Sequence, residues 1–177
     1  EEGGFNLSVA GQKIHCQSLV VASGGLSIPT LGASGFGYDI AEQFGLELLP
    51  RTAGLVPFTF SDWVKDISEI NSGLSVDVEM SVNGISFREN LLFTHRGISG
   101  PAALQLSSYW QPGQFISVNL LPGQDGLALL LGYKQSNPKS LLRNLIAPLL
   151  SKGLTQSLQT RYWPQHAETP IAEIANA

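Results

Sequence analysis

Apolar and polar positions alternate from the start of the chain. Phe5, Leu7 and Val9 fall on one side of an Ala10-Gly11 step, and Ile14 and Cys16 on the other. Period two broken by a glycine turn predicts a β-hairpin. The second arm runs into "LVVA", Leu19–Ala22, a continuous apolar stretch of the kind found in strands buried on both faces. A glycine-rich loop follows. Helical spacing then begins at about Tyr38–Phe44, with Gly45 as its C-terminal stop. "LELLP" reads as a further strand closed by Pro50.

The pattern changes at Gly54. "GLVPFTF" predicts a strand whose proline confines it to an edge or a bulge. Ser61 and Asp62 can cap a helix that runs to about Ile70. Leu74, Val76, Val78, Met80 and Val82 then alternate with Ser75, Asp77, Glu79 and Ser81. Asn83-Gly84 supplies the two positive-φ positions of a type I′ turn, and Ile85 and Phe87 share a face on the return arm. A strand is expected to end near Phe93 and a loop to cross Gly97. Ser99, Gly100 and Pro101 read as a helix start, since a proline at the first turn costs no hydrogen bond. "QFISVNLL" is another strand. Beyond Gly126 the spacing turns helical, with Leu141, Leu142, Leu145, Ile146 and Leu149 on one stripe.

Composition narrows the class. The chain has 177 residues, 43% of them hydrophobic, but only 14% charged against a usual share of about a quarter. Low charge marks a surface that partly faces other protein. The formal charge of −4 and the lack of any basic cluster argue against a nucleic-acid partner. No apolar run approaches the ~20 residues of a membrane helix. A single cysteine, Cys16, excludes an internal disulfide framework and fits a reducing, cytoplasmic compartment. The opening "EEGGFNLSV" begins abruptly on a strand pattern, so the chain is expected to be a piece of a longer one.

Two stretches carry candidate chemistry. Ala22-Ser23-Gly24-Gly25 ends an apolar run in bare backbone, against which phosphates or a sugar can lie; a tight structural turn accounts for it equally well. "THRGISGPA" brings His95 and Arg96 to a glycine turn before a capped helix start, suiting an anion, a flavin edge or a carbonyl. The alternative is that both side chains bond loop carbonyls. His15 and His166 have no partners by sequence, and the scattered His and Cys make no metal site.

"LVVASGGLSIPTLGASGFGYDIAEQFGLELLPRTAGLVPF" followed by "FRENLLFTHRGISGPAALQLSSYW" resembles the central part of the YhiN-type, or BaiN-like, NAD(P)/FAD-dependent oxidoreductases. The resemblance implies an α+β architecture. Residues 1–53 would be part of a Rossmann-like FAD-binding fold. Residues 54–165 would be an inserted domain, strand-rich over 54–125 and helical over 126–165, and residues 166–177 a linker or severed end. It further implies that Ala22, Ser23, Gly24, Gly25, Ser27, Pro29, Gly32, Gly35 and Gly37 lie along FAD. The family's Ala-Thr-Gly-Gly appears here as Ala22-Ser23-Gly24-Gly25, which keeps the hydroxyl. On the substrate side would stand Thr94, Arg96, Gly97, Ser99 and Gly100, with His95 as the candidate proton donor.

The implied function is transfer of a hydride to or from a small organic substrate, with NAD(P)H reducing the flavin. A rival from another class is a non-catalytic substrate-cap or oligomerisation module, marked by the apolar helical stripe and low charge, and a homo-oligomer is compatible with either. A third is an RNA-modifying flavoprotein, which the acidic balance argues against.

Overall fold

Ala10 and Gly11 take φ of 51° and 81°, the left-handed pair that a two-residue hairpin turn requires. They join β1 (Phe5–Val9) to β2 (Gln12–Cys16), in antiparallel register from Phe5↔Cys16 to Val9↔Gln12. The computed structural model describes residues 3–174, and the chain divides into two compact units, Glu1–Arg51 and Thr52–Ala177. Residues 1–2 of the expected FAD-binding segment and 175–177 of the expected linker lie outside the described residues.

In the first unit the loop after β2 has no regular structure until a single 3-10 turn, Pro29–Leu31, which Gly32 N–H closes on Pro29 O at 3.0 Å. Helix α1 (Phe36–Gln43) follows. Its exit is a Schellman motif: Gly45 has φ 73°, its N–H donates to Glu42 O, and Leu46 N–H donates to Ala41 O. Two expected strands do not form. Leu19–Ala22 is unpaired, with Val20 84% exposed, and the "LELLP" segment is irregular. A strand meant for burial on both faces needs ladder partners, and no strand among the described residues lies beside either segment.

The second unit is an antiparallel sheet carrying helices. It contains β3 (Phe58–Thr59), α2 (Trp63–Ile70), β4 (Ser75–Val82), β5 (Ile85–Thr94), β6 (Gly97–Ser99), α3 (Gly100–Ser107) and β7 (Ser117–Asn119). Three helices follow: α4 (Gly126–Ser136), α5 (Leu142–Leu150) and α6 (Lys152–Tyr162). The strand order is β3-β6-β5-β4-β7, so the proline-preceded β3 lies at an edge, as its residues require. Asn83 and Gly84 turn β4 into β5 at φ 50° and 78°. Asp62 Oδ1 caps α2 by accepting from Val64 N–H at 3.1 Å, and Asp125 Oδ1 caps α4 from Leu127 and Ala128.

The core sits where α3 crosses the sheet. Val78, Met80 and Val82 from β4, Leu91 and Phe93 from β5, and Ile98 from β6 are buried with Ala102, Ala103 and Leu106 of α3. The two alanines keep that helix close to the strands. Each large side chain contributes about 1.5–3 kcal/mol by leaving water. Leu150 and Leu154 extend the cluster to α5 and α6. Asn71 ties α2 to α6, its Nδ2 donating to Ile67 O and to Ser157 Oγ. Residues 166–174, the described part of the segment expected as a linker, fold back on the helices. Ile171 is buried and its N–H donates to Ser140 O at 2.8 Å.

Candidate functional site

The two candidate stretches belong to different units. In the first, Ala22, Ser23, Ser27 and Pro29 are exposed along an irregular strip. Among the described residues no backbone N–H from Leu19 to Ser27 has a protein partner. The five glycines divide by what their missing Cβ would meet. At Gly24 (φ 75°) and Gly32 (φ 86°) it would meet nothing within 4 Å. At Gly25 and Gly35 it would just touch Tyr38 Oη and Leu26 Cδ2, at 4.0 Å each. At Gly37 it would lie 3.4 Å from Ser23 Oγ, so this glycine lets α1 sit against the strip. Beneath them is an apolar hollow of about 240 Å³ between Phe5, Leu19, Val21, Ile40 and Phe44. The Arg51 guanidinium lies over the Tyr38 ring, 4.5 Å from its centroid.

In the second unit the stretch expected as a loop across Gly97 is a strand. His95 and Arg96 form a two-residue turn between β5 and β6, which pair from Leu92↔Ser99 to Thr94↔Gly97. Thr94 Oγ1–H donates to Gly97 O at 2.9 Å and fixes that turn. A Cβ on Gly97 would stand 2.2 Å from Phe58 O, and one on Gly100 2.7 Å from Asn90 O. Both glycines are therefore demanded by the sheet itself. Their partners are distant in sequence, which is why the local pattern reads as loop. Ser99 occupies the N-cap position of α3, but its side chain makes no capping bond. His95 and Arg96 are exposed, with no side-chain hydrogen bond or ion pair among the described residues. The structure thus gathers Thr94, His95 and Arg96 at one turn.

A further feature is charge segregation. Lys134, Lys139, Arg143, Lys152 and Arg161 face only Glu168 and Glu173 in residues 126–177, a net of +3, whereas the first 125 residues carry −7. Spacing along the sequence conceals it, because no two of these cations are adjacent. Arg143 donates from Nη1 to Glu168 Oε1 at 2.6 Å and to Ala167 O at 3.1 Å. That pairing holds the Glu168 carboxyl below the ordinary glutamate value, through the hydrogen bond first and the guanidinium charge second. No helix among the described residues is long and apolar enough to cross a membrane.

Residues 52–177 match the family model described as the HI0933-like protein barrel and H2TH domain. A protein of Escherichia coli named ribosomal RNA dihydrouridine synthase is 52% identical over 160 residues, covering 90% of this chain and 40% of that protein. Its namesake from Haemophilus influenzae is 46% identical over 153 residues, covering 86% of this chain and 38% of that protein. The chain thus spans about two fifths of the length of these relatives. Their names overturn the expectation of no nucleic-acid partner. That expectation rested on the whole-chain charge of −4, an average over an acidic stretch and a basic one.

Proposed function

The chain belongs to the HI0933-like family, and on that premise we propose that it is the central part of an FAD-dependent oxidoreductase that reduces uridine in ribosomal RNA. The observation that carries this reading is the 52% identity over 90% of the chain, which spans both candidate stretches. This reading replaces the narrower BaiN-like label and its small organic substrate.

The residues of the first unit fit a dinucleotide. Glycines at Gly24 and Gly32, with positive φ and open space where a Cβ would be, let a long polar ligand approach the main chain. The unpaired N–H groups of Ala22 to Gly25 are available to donate to its oxygens. On this reading residues 1–53 belong to the FAD-binding fold, Ser27, Pro29, Gly35 and Gly37 shape the same strip, and residues 54–165 form the inserted domain. When bound, FAD supplies hydride chemistry, with NAD(P)H as the reductant.

Saturating the uracil C5–C6 double bond consumes one hydride and one proton. We assign that proton to His95, whose ring lies at the exposed β5–β6 turn. Thr94 fixes the turn, Arg96 offers a cation to the substrate, and Gly97, Ser99 and Gly100 set the approach of α3. Cells lacking the intact protein should lose dihydrouridine from ribosomal RNA, read by mass spectrometry of nucleoside digests. Wild-type protein should restore it, and Gly24→Val, purified without its yellow flavin band, should not. Unchanged dihydrouridine in the deletion would end the proposal.

A further inference from the structure

A groove of about 410 Å³ runs between α5 and α6, in the basic third of the chain. Ala147, Pro148 and the buried Thr155 are among its lining. Its rim carries Arg143 and Asn144 from α5, and Lys152 and Gln156 from α6. Each wall therefore presents one cation and one amide, and no carboxylate lines the groove. Arg143 is held in place by Ala167 O and by Glu168, to which both of its Nη atoms donate, so its charge is shared with that carboxylate. Lys152 is exposed and has no ion-pair partner among the described residues. It is also the first residue of the 11-residue α6, whose positive end adds to its charge. At the other end of α6, Arg161 is already engaged over the Trp63 ring at 5.1 Å.

We propose that this groove seats the phosphodiester backbone of the RNA substrate, with Lys152 on a phosphate, Arg143 reaching a second by exchanging its Glu168 partner, and Asn144 and Gln156 on phosphate or ribose oxygens. The inference rests on the reading of the protein as an RNA-modifying enzyme and adds to it a docking site outside both candidate stretches. Cation and amide on facing walls match a strand whose charge repeats while its ribose hydroxyls alternate with it. No aromatic residue lines the groove, so it offers no stacking platform for bases. It positions the RNA and does not read its sequence.

The test is fluorescence anisotropy of a labelled RNA stem-loop with the intact flavin-loaded protein, across a salt series. Lys152→Gln is expected to weaken binding about five- to tenfold and to reduce the slope of log K against log salt by about one. Lys152→Glu should weaken it further, and Lys65→Gln, on α2, should leave both unchanged. Flavin content equal to wild type reports an intact fold in each variant. Wild-type affinity and slope in both Lys152 variants would overturn the proposal, while dihydrouridine formation by the wild type would leave the enzymatic reading standing. If wild type neither binds the stem-loop nor forms dihydrouridine, that reading fails and the groove assignment with it. A groove that binds polyglutamate through Lys152, with RNA binding untouched, would belong to an acidic protein instead and would also overturn it.

Discussion

The first 51 residues and the rest of the chain use similar side chains to opposite ends. Among the described residues every buried apolar one lies at Phe58 or beyond, whereas Val20, Leu31 and Leu49 of the first unit are more than three-quarters exposed. The second unit buries its own hydrophobic faces, because α3 and the sheet are both present to cover them. The first has a hairpin, a strip and one helix, too few layers to enclose a core. Its exposed valines and leucines are suited to strands and helices of a larger sheet, in keeping with its proposed place in an FAD-binding fold. Two pairs of glycines show a related contrast. At the sheet, Gly97 and Gly100 are required by protein neighbours; along the strip, Gly24 and Gly32 face open space.

The sharpest way to break this comparison is one extra methyl group in each unit. Gly97→Ala, with a Cβ 2.2 Å from Phe58 O and φ of 150°, should cost about 4 kcal/mol or more. All three tryptophans, Trp63, Trp110 and Trp163, lie in the second unit, so tryptophan fluorescence in urea reads that unit alone. Gly24→Ala should leave the same transition unmoved. Comparable shifts from the two would mean that the stability of the strip is coupled to that of the sheet.

Side-chain truncation gives a middle-sized contrast. Leu106→Ala, in the core beneath α3, should lower stability by about 3 kcal/mol, and Val20→Ala by less than about 0.5 kcal/mol. A large loss at Val20, followed by amide exchange of the β1–β2 hairpin, would show a core in the first unit after all.

The smallest effect is electrostatic and confined to the second unit. Arg143 depresses the Glu168 pKa in the folded state, so the pair stabilises the tail above the ordinary glutamate value. That contribution is lost as pH falls through the lower, folded value. The protection factor of the Ile171 amide, bonded to Ser140, should fall in that acid window, and Glu168→Gln should remove the fall. A protection factor that is flat with pH in the wild type would separate the tail from the ion pair.

What could be read from the sequence follows the range of the interactions involved. Asn83-Gly84, Asp62 and Pro101 act within a few residues of themselves, and each element they mark was legible. Strand β6 was not, since Gly97 and Ile98 are strand residues only by virtue of Thr59, Phe58 and Phe93. The Leu19–Ala22 run failed in the opposite sense: its composition suits a buried strand, but burial depends on neighbours this segment lacks among the described residues. For the candidate site, the local turn around His95 was visible and the packing duty of Gly97 and Gly100 was not. The basic groove was hidden by summing charge along the chain, when what a ligand meets is charge across the facing walls of α5 and α6.

The Asn83-Gly84 turn also sets a clock. It joins two of the three interior strands of the five-stranded sheet through neighbours in sequence, so β4 and β5 can zip together in roughly microseconds. Pairing Phe58 with Ile98, or Met80 with Val118, requires closing loops of about forty residues and comes later. The sheet should therefore assemble from its middle outward, its edges the last to form and the first to fray.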